Sequence, residues 1–284
     1  MQRVKAALDD YADAWRAMRT ASCQATARGA QSAQLLDLRT ACLDRRRIEL
    51  RALTDVFVRE PDSEVVDHAV AAVADLPPLA TCADAAALRA WELLDPPPPL
   101  TADPYAEPAP AISDDAVCAV LREPGGARQY RLRDFPTQAA AVAAGAVPTH
   151  FGVCGRCSPL ADLAVYMETN DLTAPVRACG LAYPDGPMAD HVQCLRDLGF
   201  TEPCAQIWYF NTVHTRAACL APCFAALDQP YHLPDGSLNA CLQCDEVQSG
   251  PVFKAIAGRT RRNTGLPNAM CRPCSEVRPL IHTY

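Results

Sequence analysis

Aromatic side chains are scarce in this chain of 284 residues, at 6%, so a core has to be assembled from Ala, Leu and Val, with cross-links standing in for the area that large rings would bury. Hydrophobic residues still make up 50%, enough at this length for one or two real cores and against wholesale disorder. Positive charge is also short. The net charge is −7, and a phosphate backbone is held by a positive field over the contact face, so no nucleic-acid partner is expected. No run of about 18 uninterrupted apolar residues occurs, so no transmembrane segment is expected. The opening stretch MQRVKAALDDYADAWRAM carries Asp9, Asp10 and Asp13 where a signal peptide has its apolar centre, so no signal peptide is read there. No catalytic signature stands out, which leaves no enzymatic activity to be read from the chain.

What the chain has instead is cysteine and proline. Of its 15 cysteines, twelve lie between Cys118 and Cys274, eight of them in the close pairs Cys154/Cys157, Cys219/Cys223, Cys241/Cys244 and Cys271/Cys274. Such density requires disulfides or metal, and the choice between them sets the compartment. Pro96 to Pro99, followed by Pro104, Pro108 and Pro110, form an extended polyproline-like spacer. The fold expected is mainly α: an N-terminal helical hairpin or bundle over residues 1–94, a proline-rich linker over 95–112, and a cysteine-rich, mostly helical domain with little β over 113–284.

Val4, Leu8, Tyr11, Trp15 and Met18 recur at three- and four-residue spacing and predict an amphipathic helix over residues 2–28, ended by Gly29. Ser32 is the expected cap of a second helix running to about Arg59. Pro61 and Asp62 open a third through Val65, Val66, Val70 and Val73, stopped by Pro77 and Pro78, and a fourth is expected from Asp84 to Leu94. Beyond the spacer, Gln129 to Phe135 reads as a strand and Thr137 to Ala144 as a helix. Further helices are expected over Pro159–Glu168, Pro187–Leu198, Pro203–Leu227 and Leu238–Arg262. In the hairpin, Cys23 and Cys42 lie at comparable heights on the two helices, so either a Cys23–Cys42 bridge or two buried thiols is expected, with Cys82 unpaired or joined elsewhere.

The segments SCQATARGAQSAQLLDLRTACLDRRRIELRALTDVF and VVDHAVAAVADLPPLATCADAAALRA resemble the helical segment that follows the transmembrane helix in bacterial membrane-anchored serine/threonine protein kinases. The resemblance covers the first third of the chain. It implies a sensor-like segment on the far side of the membrane from a kinase domain. Kinase activity does not carry over, because the Gly-rich loop, the VAIK-type lysine, the HRD loop and the DFG are all absent. The blocks THFGVCGRCSPLADLAVYMETNDLTAPVRACG and LNACLQCDEVQSGPVFKAIAGRTRRNTGLPNAMCRPC resemble an uncharacterised cysteine-rich domain of hypothetical proteins, which implies a domain over 113–284 and no activity.

Three chemistries are open to the cysteines. Zinc takes four thiolates from two Cys-x-x-Cys-type pairs. Cys241 and Cys244 with Cys271 and Cys274 form one such set, and Cys154 and Cys157 with Cys219 and Cys223 a second; His150 and His214 lie close enough in sequence to replace a thiolate. Disulfides would use the twelve as an even set of Cys118, Cys154, Cys157, Cys179, Cys194, Cys204, Cys219, Cys223, Cys241, Cys244, Cys271 and Cys274. A thiol-dependent oxidoreductase would use Cys154-Gly-Arg-Cys157 or Cys271-Arg-Pro-Cys274 as an exchange couple. Lys254, Arg259, Arg261 and Arg262 form a basic patch able to hold an anion, or else a solvated helix end. Trp208, Tyr209 and Phe210 form the densest aromatic cluster, a core anchor or, if exposed, a binding surface. The leading expectation is a non-enzymatic, extracytoplasmic or secreted module without a cofactor that binds an unknown protein or small-molecule partner. The alternatives are a cytoplasmic zinc-binding interaction protein and a CxxC oxidoreductase.

Overall fold

A computed structural model describes residues 2–284 except 30, 32, 60–62, 83–87, 114, 125–127, 170, 267–276 and 283. The expected Ser32 cap, the Pro61–Asp62 helix start, the beginning of the fourth helix, and Cys271 and Cys274 lie outside the described residues. The fold is mainly α, with ten α-helices and one four-stranded sheet among the described residues. It divides into two compact units, residues 1–87 and 88–284.

The first unit contains α1 (Gln2–Ala27), α2 (Ala33–Arg59) and α3 (Ser63–Ala74). The stripe on α1 is buried in two stretches. Val4 and Leu8 pack with Leu53, Phe57, Ala69 and Val73, while Tyr11, Trp15 and Met18 pack with Leu43, Leu79 and Cys82. Polar tips on this stripe find carbonyls: Trp15 Nε1 donates to Leu43 O at 2.7 Å and Tyr11 Oη to Pro77 O at 2.7 Å. Gly29 closes α1 with φ at 70°, where a side chain would be strained. Buried Gln31 then ties the turn back, donating to Ser22 O at 2.9 Å. Neither alternative expected for Cys23 and Cys42, a bridge or two buried thiols, is what the structure has. Cys42 is joined to Cys82, with Cα atoms 5.4 Å apart, and Cys23 is free and exposed. Helical phase is the reason: four residues after inward-facing Met18 comes Ser22, which is buried, and Cys23 is turned a further ~100° away.

The helix expected to reach Leu94 stops at Arg89, at the start of the second unit, and is followed by strands β1 (Glu92–Leu93), β2 (Val117–Arg122), β3 (Gln129–Phe135) and β4 (Val147–Phe151). The sheet order is β1-β3-β2-β4. β2 runs antiparallel to both neighbours, with Val117 opposite Phe135 in β3, and a register shift at Cys118/Ala119 brings Pro148 of β4 opposite Ala119. That irregularity admits a proline, which has no N–H for the ladder. Helix α4 (Gln138–Ala143) covers one face through Ala141 against Ala119 and Phe135, its first turn capped by Thr137 Oγ1, which accepts from Ala140 N at 3.2 Å.

The remaining helices are α5 (Leu160–Glu168), α6 (Thr173–Ala182), α7 (Met188–Asp197), α8 (Glu202–Ala225), α9 (Ala240–Gln248) and α10 (Gly250–Ala257). The single helix expected over 238–262 is two, because Ser249 ends α9 and Pro251, lacking an N–H, sits where only a first turn tolerates it. The segment expected as a linker over 95–112 is held within the second unit. Leu100 N donates to Gln206 Oε1 at 2.6 Å, and Tyr105 donates to Asn211 Oδ1 at 2.8 Å while stacking on His214 at 4.3 Å. Two anchors suffice here because a proline-rich chain loses little conformational entropy on docking.

Among the described residues five disulfides staple this unit. Cys118–Cys154 joins β2 to the loop after β4, Cys157–Cys204 joins that loop to α8, and Cys179–Cys194 joins α6 to α7. Cys219–Cys244 and Cys223–Cys241 join α8 to α9. At its centre, Arg259 is fully buried and donates to Cys157 O at 2.8 Å, Ser158 O at 2.8 Å, Thr149 O at 3.0 Å and Thr149 Oγ1 at 2.7 Å. No helix among the described residues is long and apolar enough to cross a membrane.

Candidate functional site

The site is built around the doubly stapled pair of α8 and α9. Cys219 and Cys223 are four apart and Cys241 and Cys244 three apart, so each pair shares a helix face. Joining the first of one pair to the last of the other requires antiparallel helices, with Cα separations of 5.8 and 4.2 Å. Asn239 caps α9, its side chain accepting from Leu242 N at 3.0 Å. α6 approaches α8 from the other side through Gly180, where an added Cβ would stand 2.6 Å from Thr212 Cγ2. These helices, together with α10 and the 260–262 loop, enclose a cleft of about 490 Å³.

Apolar side chains dominate the cleft. Its mouth carries Leu181, Leu220, Phe224 and Leu227, exposed by 68, 52, 66 and 58%, while Leu172, Val176 and Leu242 are buried in its wall. At the base Trp208 packs on Phe253 at 4.6 Å and Phe200 at 5.9 Å, which makes this part of the aromatic cluster a core anchor. The Tyr166 hydroxyl lies close to the Trp208 N–H, yet in a geometry that leaves both buried polar atoms without a hydrogen-bond partner. Burial pushes the Tyr166 hydroxyl above its ordinary range.

Five basic and three acidic side chains also line the cleft. Lys254 and Arg262 share Glu246 Oε1, the latter at 2.6 Å. Arg261 donates to Thr169 O and lies 5.6 Å over the Tyr166 ring; desolvation lowers its guanidinium to about 10. Arg216 donates to the carbonyls of Pro184 and Gly180. Arg177 makes no hydrogen bond or ion pair among the described residues. Among the acids, Asp171 accepts from Tyr231 Oη at 2.9 Å and Asp245 from Thr215 Oγ1 at 2.8 Å.

The anion patch expected from Lys254, Arg259, Arg261 and Arg262 is therefore not one site. Arg259 points into the protein interior, away from any solvent, because buried carbonyls of the 149–158 segment need its planar donors. The other three line the cleft, where Lys254 and Arg262 are paired. The six described cysteines of the expected zinc sets, Cys154, Cys157, Cys219, Cys223, Cys241 and Cys244, are not brought together as expected. Cys154 and Cys157 turn to Cys118 and Cys204, and the partners of Cys219 and Cys223 are Cys244 and Cys241. His150 meets Ser158 Oγ at 2.6 Å and His214 meets Ser249 Oγ at 3.0 Å, and Cys118, which lies opposite His150 in the sheet, is bonded to Cys154. Nor is Cys154-Gly-Arg-Cys157 an exchange couple. Its glycine serves packing, since a Cβ on Gly155 would stand 2.5 Å from Ile256 O. Arg156 N and Cys157 N donate to Ile256 O and Ala257 O, both at 2.9 Å.

Leu220, Phe224 and Leu227, and the arginines Arg177 and Arg216, were not singled out by sequence. A signal existed: Leu220, Phe224 and Leu227 recur at i, i+4, i+7 beside Cys219 and Cys223 at the end of one helix. Residues 188–279, about a third of the chain, match the model of a family of unknown function (DUF8771). That segment spans α7 through α10 and both staples of the cleft. No curated protein and no solved structure matched the chain.

Proposed function

We propose that the second unit is a disulfide-stapled binding module and that its cleft is the place where a ligand or partner is received. The observation that carries this is the combination of a 490 Å³ cleft with an apolar mouth that stays exposed. Small-molecule pockets run from about 300 to 1,000 Å³, and four large hydrophobic side chains more than half exposed around one opening are costly unless something covers them. The rigidity supplied by Cys219–Cys244 and Cys223–Cys241 suits binding, because a preorganised wall is not ordered at the ligand's expense. Six bridges fit an oxidising, extracytoplasmic setting. The likeness of the first unit to a kinase-associated sensor segment fits a role in reporting what the cleft binds.

A thermal-shift screen of the oxidised full chain against small organic compounds tests the cleft, with Leu220→Glu at the mouth as the control. Binding raises the melting temperature of the native chain by mass action and fails to do so in Leu220→Glu. If no compound stabilises the native chain, or if stabilisation persists in the variant, the cleft is not the site.

A further inference from the structure

Resting on that reading of the cleft, we propose that its ligand is a small anionic amphiphile, an apolar chain or ring system bearing one carboxylate. The apolar part follows from the lining already described. The anionic part follows from two arginines that form no ion pair among the described residues. Among the described residues Arg177 on α6 has no hydrogen bond or ion pair, and Arg216 on α8 is satisfied by two main-chain carbonyls, which hold its protons without cancelling its charge. Covering them with a neutral hydrocarbon would desolvate two cations without compensation. A carboxylate headgroup compensates them, and the planar guanidinium presents paired donors at carboxylate spacing.

The charge balance narrows the headgroup further. The chain as a whole carries −7, yet the cleft lining has five basic against three acidic side chains, so the opening has a local excess of positive charge. Its excess is small, because Asp171, Asp245 and Glu246 share the lining. An anionic headgroup matches that excess of two charges, and a planar carboxylate meets the paired donors of a guanidinium. A cationic amphiphile would meet repulsion at the same place.

Isothermal titration of the oxidised full chain with octanoate, methyl octanoate and octylammonium, each below its micellar concentration, tests the assignment. Saturable one-to-one binding of octanoate is expected, at least tenfold tighter than the methyl ester, with no binding of octylammonium. Arg177→Gln should weaken octanoate at least tenfold and leave the methyl ester unchanged, while Leu220→Glu should weaken both; unchanged circular dichroism and intact mass establish that each variant folds and is oxidised. Equal affinity for octanoate and its ester, or an unchanged octanoate affinity in Arg177→Gln, overturns the carboxylate and leaves the cleft as an apolar site. Absence of saturable binding by all three overturns the amphiphile altogether, and the wider compound screen then decides separately whether the cleft receives any ligand.

Discussion

The two units solve the same shortage of large rings in opposite ways. In the first, a continuous stripe on α1 packs into neighbouring helices, one disulfide is present, and the buried polar residues described, Ser22 and Gln31, are uncharged. In the second, five disulfides among the described residues accompany a core that buries Asp162, His150, His191, His282, Arg259 and Arg261. A periodic apolar face stabilises helices by itself. Irregular loops leave main-chain groups that need polar partners, and short helices need cross-links to hold their positions. Rigidity gathered in the second unit is also what keeps an apolar cleft open.

Reduction breaks this comparison most strongly. Each bridge contributes about 2–4 kcal/mol by restricting the unfolded chain, against a net stability of about 5–15 kcal/mol for a whole domain. With a reductant, proteolysis followed by mass mapping should remove residues 88–284 first, and equal survival of both units would contradict the contrast. Without reductant, the intact mass should fall short of the fully reduced mass by at least two hydrogens for each of the six bridges among the described residues. Next in size is Arg259→Ala, which strands several buried carbonyls at about 1–3 kcal/mol each. Urea denaturation should show a loss above about 3 kcal/mol that Arg259→Lys does not restore, because an ammonium cannot span the planar set of acceptors.

In the first unit, Cys42→Ala with Cys82→Ala removes a 40-residue closure and should cost about 4 kcal/mol on the chain-entropy estimate. Cys23→Ser should change stability by less than about 0.5 kcal/mol, as for an exposed surface site. Similar effects of the two would mean that Cys23, not Cys82, is the partner of Cys42.

Acid sharpens the comparison through the buried charges of the second unit. Desolvation lowers His282 from 6.5 to about 4 and pushes His150 down in the same direction. These groups bind fewer protons folded than unfolded, so their contribution is complete above pH 6.5 and is lost as pH falls through that window. Desolvation raises Asp162 to about 7, although Thr201 N and Oγ1 both donate to it at 2.8 Å. Its contribution has the opposite sign, present at low pH and lost as pH rises toward 7. Denaturation midpoints measured from pH 4 to 7 should therefore rise with pH, more steeply in Asp162→Asn and less steeply in His282→Gln. The smallest effect is Tyr166→Phe, which deletes a buried hydroxyl without a partner and should leave stability unchanged or slightly higher. A clear loss would mean that the hydroxyl is hydrogen-bonded in solution.

Legibility followed periodicity. The α1 stripe was readable at once, and its continuation through Ser22 already turned Cys23 outward. β2 was not readable, because Val117, Cys118, Ala119 and Val120 are all buried and a run without alternation does not distinguish strand from helix. α6 was hidden by Pro175 and Gly180, the first tolerated early in a helix and the second needed for contact with α8. Of the candidate site, sequence located Lys254, Arg261 and Arg262 but grouped them with Arg259, which serves the core.

By itself the sequence determined a mainly helical chain, a cysteine-rich second half and the absence of a strong positive field, since composition and periodicity act locally along the chain. Which sulfurs meet, which arginines form no ion pair among the described residues and which leucines stay exposed were decided only by tertiary structure. Each depends on side chains from α6, α8 and α9 meeting across distances in sequence that no local pattern encodes.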